Sequence, residues 1–459
     1  ICQLHGDQPT QHPDQLVGEY IAQPSADLKE SQLSNITASG PPLKVLLDSL
    51  EKLRDRRAAA DRSDIRTRFA DIALLKKRLL TNGKVNKPNF KEDFILTKAN
   101  YLLNHSVGRP LKTSEKNFSE QLYTPWKNSI SEPWEQWLWI INEFTASLAK
   151  LFNAKQSEFC PQVNLSSGLT KILMSLDQAQ SKNCVILVSE IDFPGMGFAL
   201  QKSLPEDCEI RFIPSNVDIT NARVWDEYLT KDVDLVFVSH AYSNTGQLSP
   251  ISQVLSMARA RNIISILDIA QSVGIVPIDL KALNPDFMIG SSVKWLCGGP
   301  GAAYLWVNSD RLASCNPKDV GWFSHENPFE FDIHNFRYRD SALKFWGGTP
   351  SIAPYAIAAH SINYFTNIGL KNIRKHNQLL IEKTANALDL EFVSPREEAI
   401  RGGTMILDFG GNQQKILKQL KEHNISVDLR SHGIRISPHI YNDEEDIDQL
   451  LSVIKSTKL

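Results

Sequence analysis

Three side chains stand directly behind short apolar runs, where the ends of parallel strands would carry them to one edge of a sheet. Asp268 closes the run 263–267, Ser239 closes 235–238, and Lys294 follows the run 287–289 within Ser291-Ser-Val-Lys294. A carboxylate and a lysine delivered by successive strands are the pair that an aldehyde cofactor with a basic ring nitrogen requires. The amine forms a Schiff base, and the carboxylate keeps the ring nitrogen protonated so that the ring can accept electrons.

The elements that must position these groups are legible around them. From about Cys160 onward, β-branched runs at 184–188, 209–213, 235–238, 263–267 and 287–289 alternate with helical segments. Continuously apolar strands separated by crossovers predict a mostly parallel sheet covered by helices on both faces, with ligands bound beyond the carboxyl ends of its strands. A further run, 302–307, follows the turn Gly298-Gly-Pro-Gly301 too closely for a crossover helix and is expected to run antiparallel. Past Leu370 come a long amphipathic helix, a run at 402–408, a helix near 413–423 and a run at 433–437, the makings of a small C-terminal α+β domain.

The residues flanking the lysine and the carboxylate make the match specific. Asp268-Ile-Ala-Gln-Ser-Val-Gly274 and Ser291-Ser-Val-Lys294 with its glycine-rich tail resemble the class V aminotransferase group of fold-type I pyridoxal-phosphate (PLP) enzymes. Within that group the chain looks most like kynureninase, through Ser239-His-Ala-Tyr-Ser-Asn-Thr-Gly-Gln247, Gly321-Trp-Phe-Ser-His325, Phe345-Trp-Gly-Gly-Thr-Pro350 and Gly433-Ile-Arg-Ile-Ser-Pro438. The resemblance runs from about Tyr101 to the C-terminus and implies a mostly parallel seven-stranded sheet with a small C-terminal domain. It further implies Lys294 as the Schiff-base lysine and Asp268 as the partner of the ring nitrogen. Gln271 would reach the phenolic oxygen and Phe193 would stack on the ring, with Ser239 and Ser291 as further cofactor contacts, Ser291 towards the phosphate. The turn Ser167-Gly168-Leu169-Thr170, opening a helix over 171–179, would cradle the phosphate with free N–H groups and the Thr170 hydroxyl. On the substrate side Arg435 would grip the carboxylate of an L-amino acid as a bidentate pair, and Trp322 and His325 would line the side-chain pocket. Thr349 falls where the class reaches across a dimer interface to the neighbouring phosphate, which implies a homodimer with shared active sites.

Three positions depart from kynureninase, which has His at Gln271, Tyr at Val293 and Asn at Thr349. They leave the substrate side chain open. The readings are a kynureninase-like hydrolase or side-chain lyase cutting the Cβ–Cγ bond, a class V aminotransferase, or a non-catalytic PLP-binding protein. A cysteine desulfurase needs a thiol on a loop well downstream of the lysine, and the last cysteine, Cys315, lies too close behind it.

Domain organisation is expected as a polar tail over 1–42, rich in Gln, Pro, Ser and Asp, and a helical extension over 43–90. A large PLP-binding domain over 91–365, its N-terminal segment joining the small domain, precedes the small domain over 366–459. Leu46, Leu47, Leu50 and Leu53, then Ile72, Leu74, Leu75 and Leu79, recur at helical spacing in the extension. With 50 basic against 52 acidic side chains the charge balance argues against a nucleic-acid partner. No run approaches the roughly 18 apolar residues of a membrane span, and the first residues do not read as a signal peptide, so a cytoplasmic protein is expected. Six scattered cysteines without a CxxC pair signal neither a disulfide framework nor a metal site.

Overall fold

The structure, a computed structural model, describes residues 90–390 and 392–457. The expected tail over 1–42 and nearly all of the extension over 43–90 lie outside the described residues.

Among the described residues, seven strands form the main sheet: β2 (Phe159–Gln162), β3 (Val185–Ser189), β4 (Glu209–Ile213), β5 (Leu235–Ser239), β6 (Ile264–Asp268), β7 (Phe287–Ser291) and β8 (Ala303–Val307). A short strand, β1 (Asn100–Tyr101), precedes them. The order across the sheet is β2-β8-β7-β6-β5-β3-β4. β8 alone runs against its neighbours, antiparallel to both β7 and β2, as its short connection to β7 dictates. β3 and β5 to β8 are buried along their whole length, which is why their sequences are continuously apolar rather than alternating. β2 has no matching signal in the sequence because Pro161 interrupts it. The strand occupies an edge, with β8 as its single neighbour, so a residue lacking an N–H is tolerated there.

One apolar core lies against this sheet, where Leu169, Ile172 and Leu173 of the helix Leu165–Ser175 pack with Ile186, Phe237, Ile266, Ile289 and Leu305. A second core belongs to the C-terminal part. Its three-stranded antiparallel sheet, ordered β11 (Asp428–Arg430), β12 (Gly433–Ile436) and β9 (Met405–Leu407), packs on the helices Leu370–Ala387, Gln413–Glu422 and Glu444–Ser456. β10 (Ile425–Ser426) pairs in parallel with β1. The chain then runs on beside β12: Ser437 N–H donates to the Leu102 carbonyl at 3.0 Å. This N-terminal strap places residues 104–108 between the C-terminal sheet and the lysine loop.

Candidate active site

β5, β6 and β7 lie side by side and parallel, with Ser239 level with Asp268 and Asp268 level with Ile289. Their carboxyl ends therefore deliver Ser239, Asp268 and Ser291 to one edge, and Lys294 follows three residues later. Asp268 is buried, its Oδ1 accepting the Ala270 N–H at 2.7 Å. Burial raises its pKa, against the Ala270 N–H and the positive charge of Lys294, which both favour the ionised form. Lys294 is also buried, and loss of hydration brings its ammonium down to about 8; Asp268 opposes that fall and Arg435 adds to it. An amine with a neutral form available near neutral pH, electrostatically coupled to a buried carboxylate, is the chemistry a Schiff-base cofactor needs.

The strap closes over the lysine loop. Gly108 N–H donates to the Val293 carbonyl at 2.9 Å, and a Cβ at Gly108 would stand 2.2 Å from the Lys294 carbonyl oxygen, so only glycine fits. Gln271 Nε2 donates to the His105 carbonyl at 3.2 Å, tying the turn after β6 to the same strap. These strap residues carried no sequence signal, because their role depends on contacts made from far along the chain.

Arg435, on β12, reaches the large sheet. Its Nη1 donates to the Ser243 carbonyl at 3.1 Å, just beyond β5, and its guanidinium is almost fully buried. Its bidentate edge is already used: Nε donates to Asp428 Oδ1 at 2.9 Å and Nη2 to Oδ2. Asp428 also meets His105 Nε2 at 2.9 Å, while His105 Nδ1 meets Ser437 Oγ at 2.6 Å. Burial works against the Asp428 carboxylate, yet His105 and Arg435 together hold its pKa far below the ordinary carboxylate range. Burial lowers the pKa of His105. Arg435 is one member of a His105–Asp428–Arg435 chain that the sequence did not disclose.

The helix expected to open the phosphate cradle starts earlier in the chain. The helix begins at Leu165 rather than near Lys171, capped by Asn164, whose side-chain oxygen accepts the Ser167 N–H at 2.8 Å. Gly168, Leu169 and Thr170 lie inside the helix, and Thr170 Oγ1 bonds Ser203 Oγ at 2.9 Å. The N–H groups without a partner in the helix belong to its first residues, Leu165 and Ser166, one turn earlier than expected. Asn164, a strong N-cap type, was the signal for this start. Phe193 caps the helix Pro194–Ser203 and is 57% exposed, an uncovered ring at the end of β3.

Trp322, His325 and Thr349 behave differently from one another. The ring of Trp322 meets Trp134 edge-on at 6.2 Å and stacks on Phe331 at 6.3 Å. His325 is buried with both nitrogens engaged by its own loop, Nδ1 with the Asn327 N–H and Nε2 with the Asn335 carbonyl, each at 3.0 Å. It pins that loop and offers no free nitrogen. Thr349 is exposed on a loop that Lys171 anchors through the Phe345 and Trp346 carbonyls at 2.9 and 3.0 Å.

A buried lysine of lowered pKa, a buried carboxylate on the neighbouring strand, an uncovered aromatic ring and a free helix N-terminus fit PLP, and together they define a fold-type I site. Comparison with known proteins gives the family. A family model described as Aminotransferase class-V matches residues 109–450, and the chain belongs to that family of PLP-dependent enzymes. A second model, described as Monodechloroaminopyrrolnitrin synthase PrnB, matches residues 1–79. The chain is similar to a kynureninase of Shouchella clausii, 26% identical over 80% of this chain and 90% of the relative. It is also similar to an uncharacterized aminotransferase, YcbU, of Bacillus subtilis, 24% identical over 76% and 91%. Among solved structures, the apo cysteine desulfurase of Thermococcus onnurineus aligns with a TM-score of 0.70 at 19% identity, over 78% of this chain and 94% of that one. A complex of the cystine C–S lyase C-DES with cysteine persulfide aligns with a TM-score of 0.71 at 21% identity, over 79% and 98%. These two share the fold.

Proposed function

We propose that the protein acts on an L-amino acid with a planar side chain, as a kynureninase-like hydrolase or side-chain lyase that cuts the Cβ–Cγ bond. The observation that carries this reading is the convergence of Lys294, Asp268 and Arg435 at one sheet edge, in a chain whose relatives include kynureninases. PLP, when bound, supplies an aldehyde carbon for Lys294 and a ring that accepts electrons from the substrate α-carbon. Asp268 holds the proton on the ring nitrogen. Lys294 Nζ, once released, takes the proton from the substrate Cα and returns it. Arg435 binds the substrate carboxylate with the N–H groups that Asp428 and the Ser243 carbonyl leave over.

Transamination is the second reading, favoured by the similarity to an aminotransferase. A desulfurase reading has no support beyond the shared fold, since Cys315 is buried and its thiol is pushed up to about 11 by that burial. Thr349 is assigned to the neighbouring subunit's phosphate in a homodimer.

The experiment is to mix PLP-loaded protein with kynurenine and 3-hydroxykynurenine and assay for anthranilate-type products. Product at catalytic turnover supports the hydrolase. Stoichiometric pyridoxamine phosphate instead identifies a transaminase.

A further inference from the structure

Asp192 takes no part in the chemistry described so far. It lies at the end of β3, one residue before Phe193, with its carboxyl group turned inward. Oδ2 accepts the Ser189 N–H at 2.9 Å, while Oδ1 is buried and has no hydrogen-bond partner among the described residues. The groups that reach it come from three strand ends. Ser189 belongs to β3, the Ser239 hydroxyl and Tyr242 stand at and beyond the end of β5, and the Asp268 carboxylate closes β6. None of these is a cation. Tyr242 is itself fully buried, and burial together with the Asp192 charge holds its phenol un-ionised. Two carboxyl groups thus share one buried cluster at the carboxyl ends of the neighbouring strands β3, β5 and β6.

We propose that Asp192 is a positioning residue of the cofactor-nitrogen site: it and Asp268 form an acid pair that carries one negative charge or two, and its ionisation sets the charge felt at the ring nitrogen. The inference rests on the PLP reading. Two like charges in one buried cluster cannot both ionise freely, so the protons of such a pair leave in two steps. Asp268, with the Lys294 ammonium and the Ala270 N–H beside it, takes the first charge. Asp192 then carries the proton upward: burial is the main cause, the Asp268 charge adds to it, Ser239 and Ser189 oppose it, and its pKa rises to about 7. On the acid side of that value one anion faces the ring. On the alkaline side there are two, and the protonated form of the Lys294-bound cofactor is held more tightly.

The test uses the parent protein, Asp192→Asn, which keeps the oxygen that accepts from Ser189, and Asp192→Glu. In the apoprotein, infrared spectra of aspartate-labelled parent should show an un-ionised carboxylic acid band that persists well above the ordinary carboxylate range and is absent from Asp192→Asn. In the PLP-loaded protein, the pH midpoint of the visible chromophore should fall in Asp192→Asn by on the order of one pH unit, the size of one charge felt through several ångströms at an effective dielectric near 20. Asp192→Glu should restore part of that change. A chromophore midpoint that is the same in the parent and in Asp192→Asn overturns the proposal, and so does a parent apoprotein without the carboxylic acid band. A parent that shows the band but takes up no PLP identifies the cofactor reading as the one at fault, and the proposal falls with it.

Discussion

At Lys294 two demands meet in one side chain. It must be neutral enough to attack an aldehyde, which burial secures, yet Asp268 must remain close enough to serve the ring nitrogen, which pulls the other way. Because burial wins, the folded apoprotein binds this proton less tightly than the unfolded chain does. The sign of the pH dependence follows: the group costs stability below about 8, and that cost is relieved as pH rises from about 8 towards the ordinary 10.5. Urea unfolding of the apoprotein should show a gain on the order of 2 kcal/mol over that interval, and Lys294→Met should flatten it. Removing the like charge in Arg435→Ala should raise the Lys294 value, seen as a higher pH midpoint for covalent uptake of PLP fixed by borohydride. These residue types and their spacing were legible in the sequence. The His105–Asp428–Arg435 chain was not, because His105 and Asp428 lie far apart in sequence and meet only where the strap crosses β12.

At the level of elements, the strap and the helix Leu165–Ser175 hold the site in shape. Gly108→Ala puts a methyl group 2.2 Å from the Lys294 carbonyl, against backbone that cannot swing aside as a side chain would. The expected result is a loss of about 1–3 kcal/mol and a weakened hold on PLP, read by urea unfolding and by cofactor titration. Asn164→Ala removes the cap of the helix and should cost about 1 kcal/mol. If the first N–H groups of that helix hold the phosphate, the same change should also weaken PLP more than it weakens pyridoxal, which lacks the phosphate. The strands β3 and β5 to β8 were readable because each is a continuous apolar run, β4 from its shorter run of Ile and Phe between charged residues, and the antiparallel β8 because its connection is too short to cross over. β2 left no signal in the sequence, and the helix after it starts earlier than its motif implies, both for local reasons. Pro161 masks an edge strand, and the Ser167–Thr170 motif lies inside a helix whose stronger cap is Asn164. His325 illustrates a different limit: the residue type suggests chemistry, and only the fold shows both nitrogens spent on the loop.

For the molecule as a whole, the aromatic surface bears on assembly. Ring contacts run from Trp126 through Trp137, Trp134 and Trp322 to Phe331, and the two ends of this chain are 62% and 78% exposed. An apolar patch of that extent is costly to leave in water and suits a second copy of the chain. Sedimentation equilibrium should give a dimer, and Phe331→Asp with Trp126→Asp should shift it towards monomer. The exposed Thr349 supplies a sharper test of shared sites. A Lys294→Ala chain cannot form its own covalent cofactor link, and a Thr349→Glu chain should repel the phosphate bound by its neighbour. Each homodimer should be inactive for a separate reason. In a mixed dimer, the subunit with an intact Lys294 faces an intact Thr349 from its partner, so one of the two sites is whole. Unfolding and refolding the two variants together should therefore restore turnover that neither shows alone. If Thr349 served its own subunit's site, no combination of these chains would contain an intact site, and the mixture would stay as inactive as its parts.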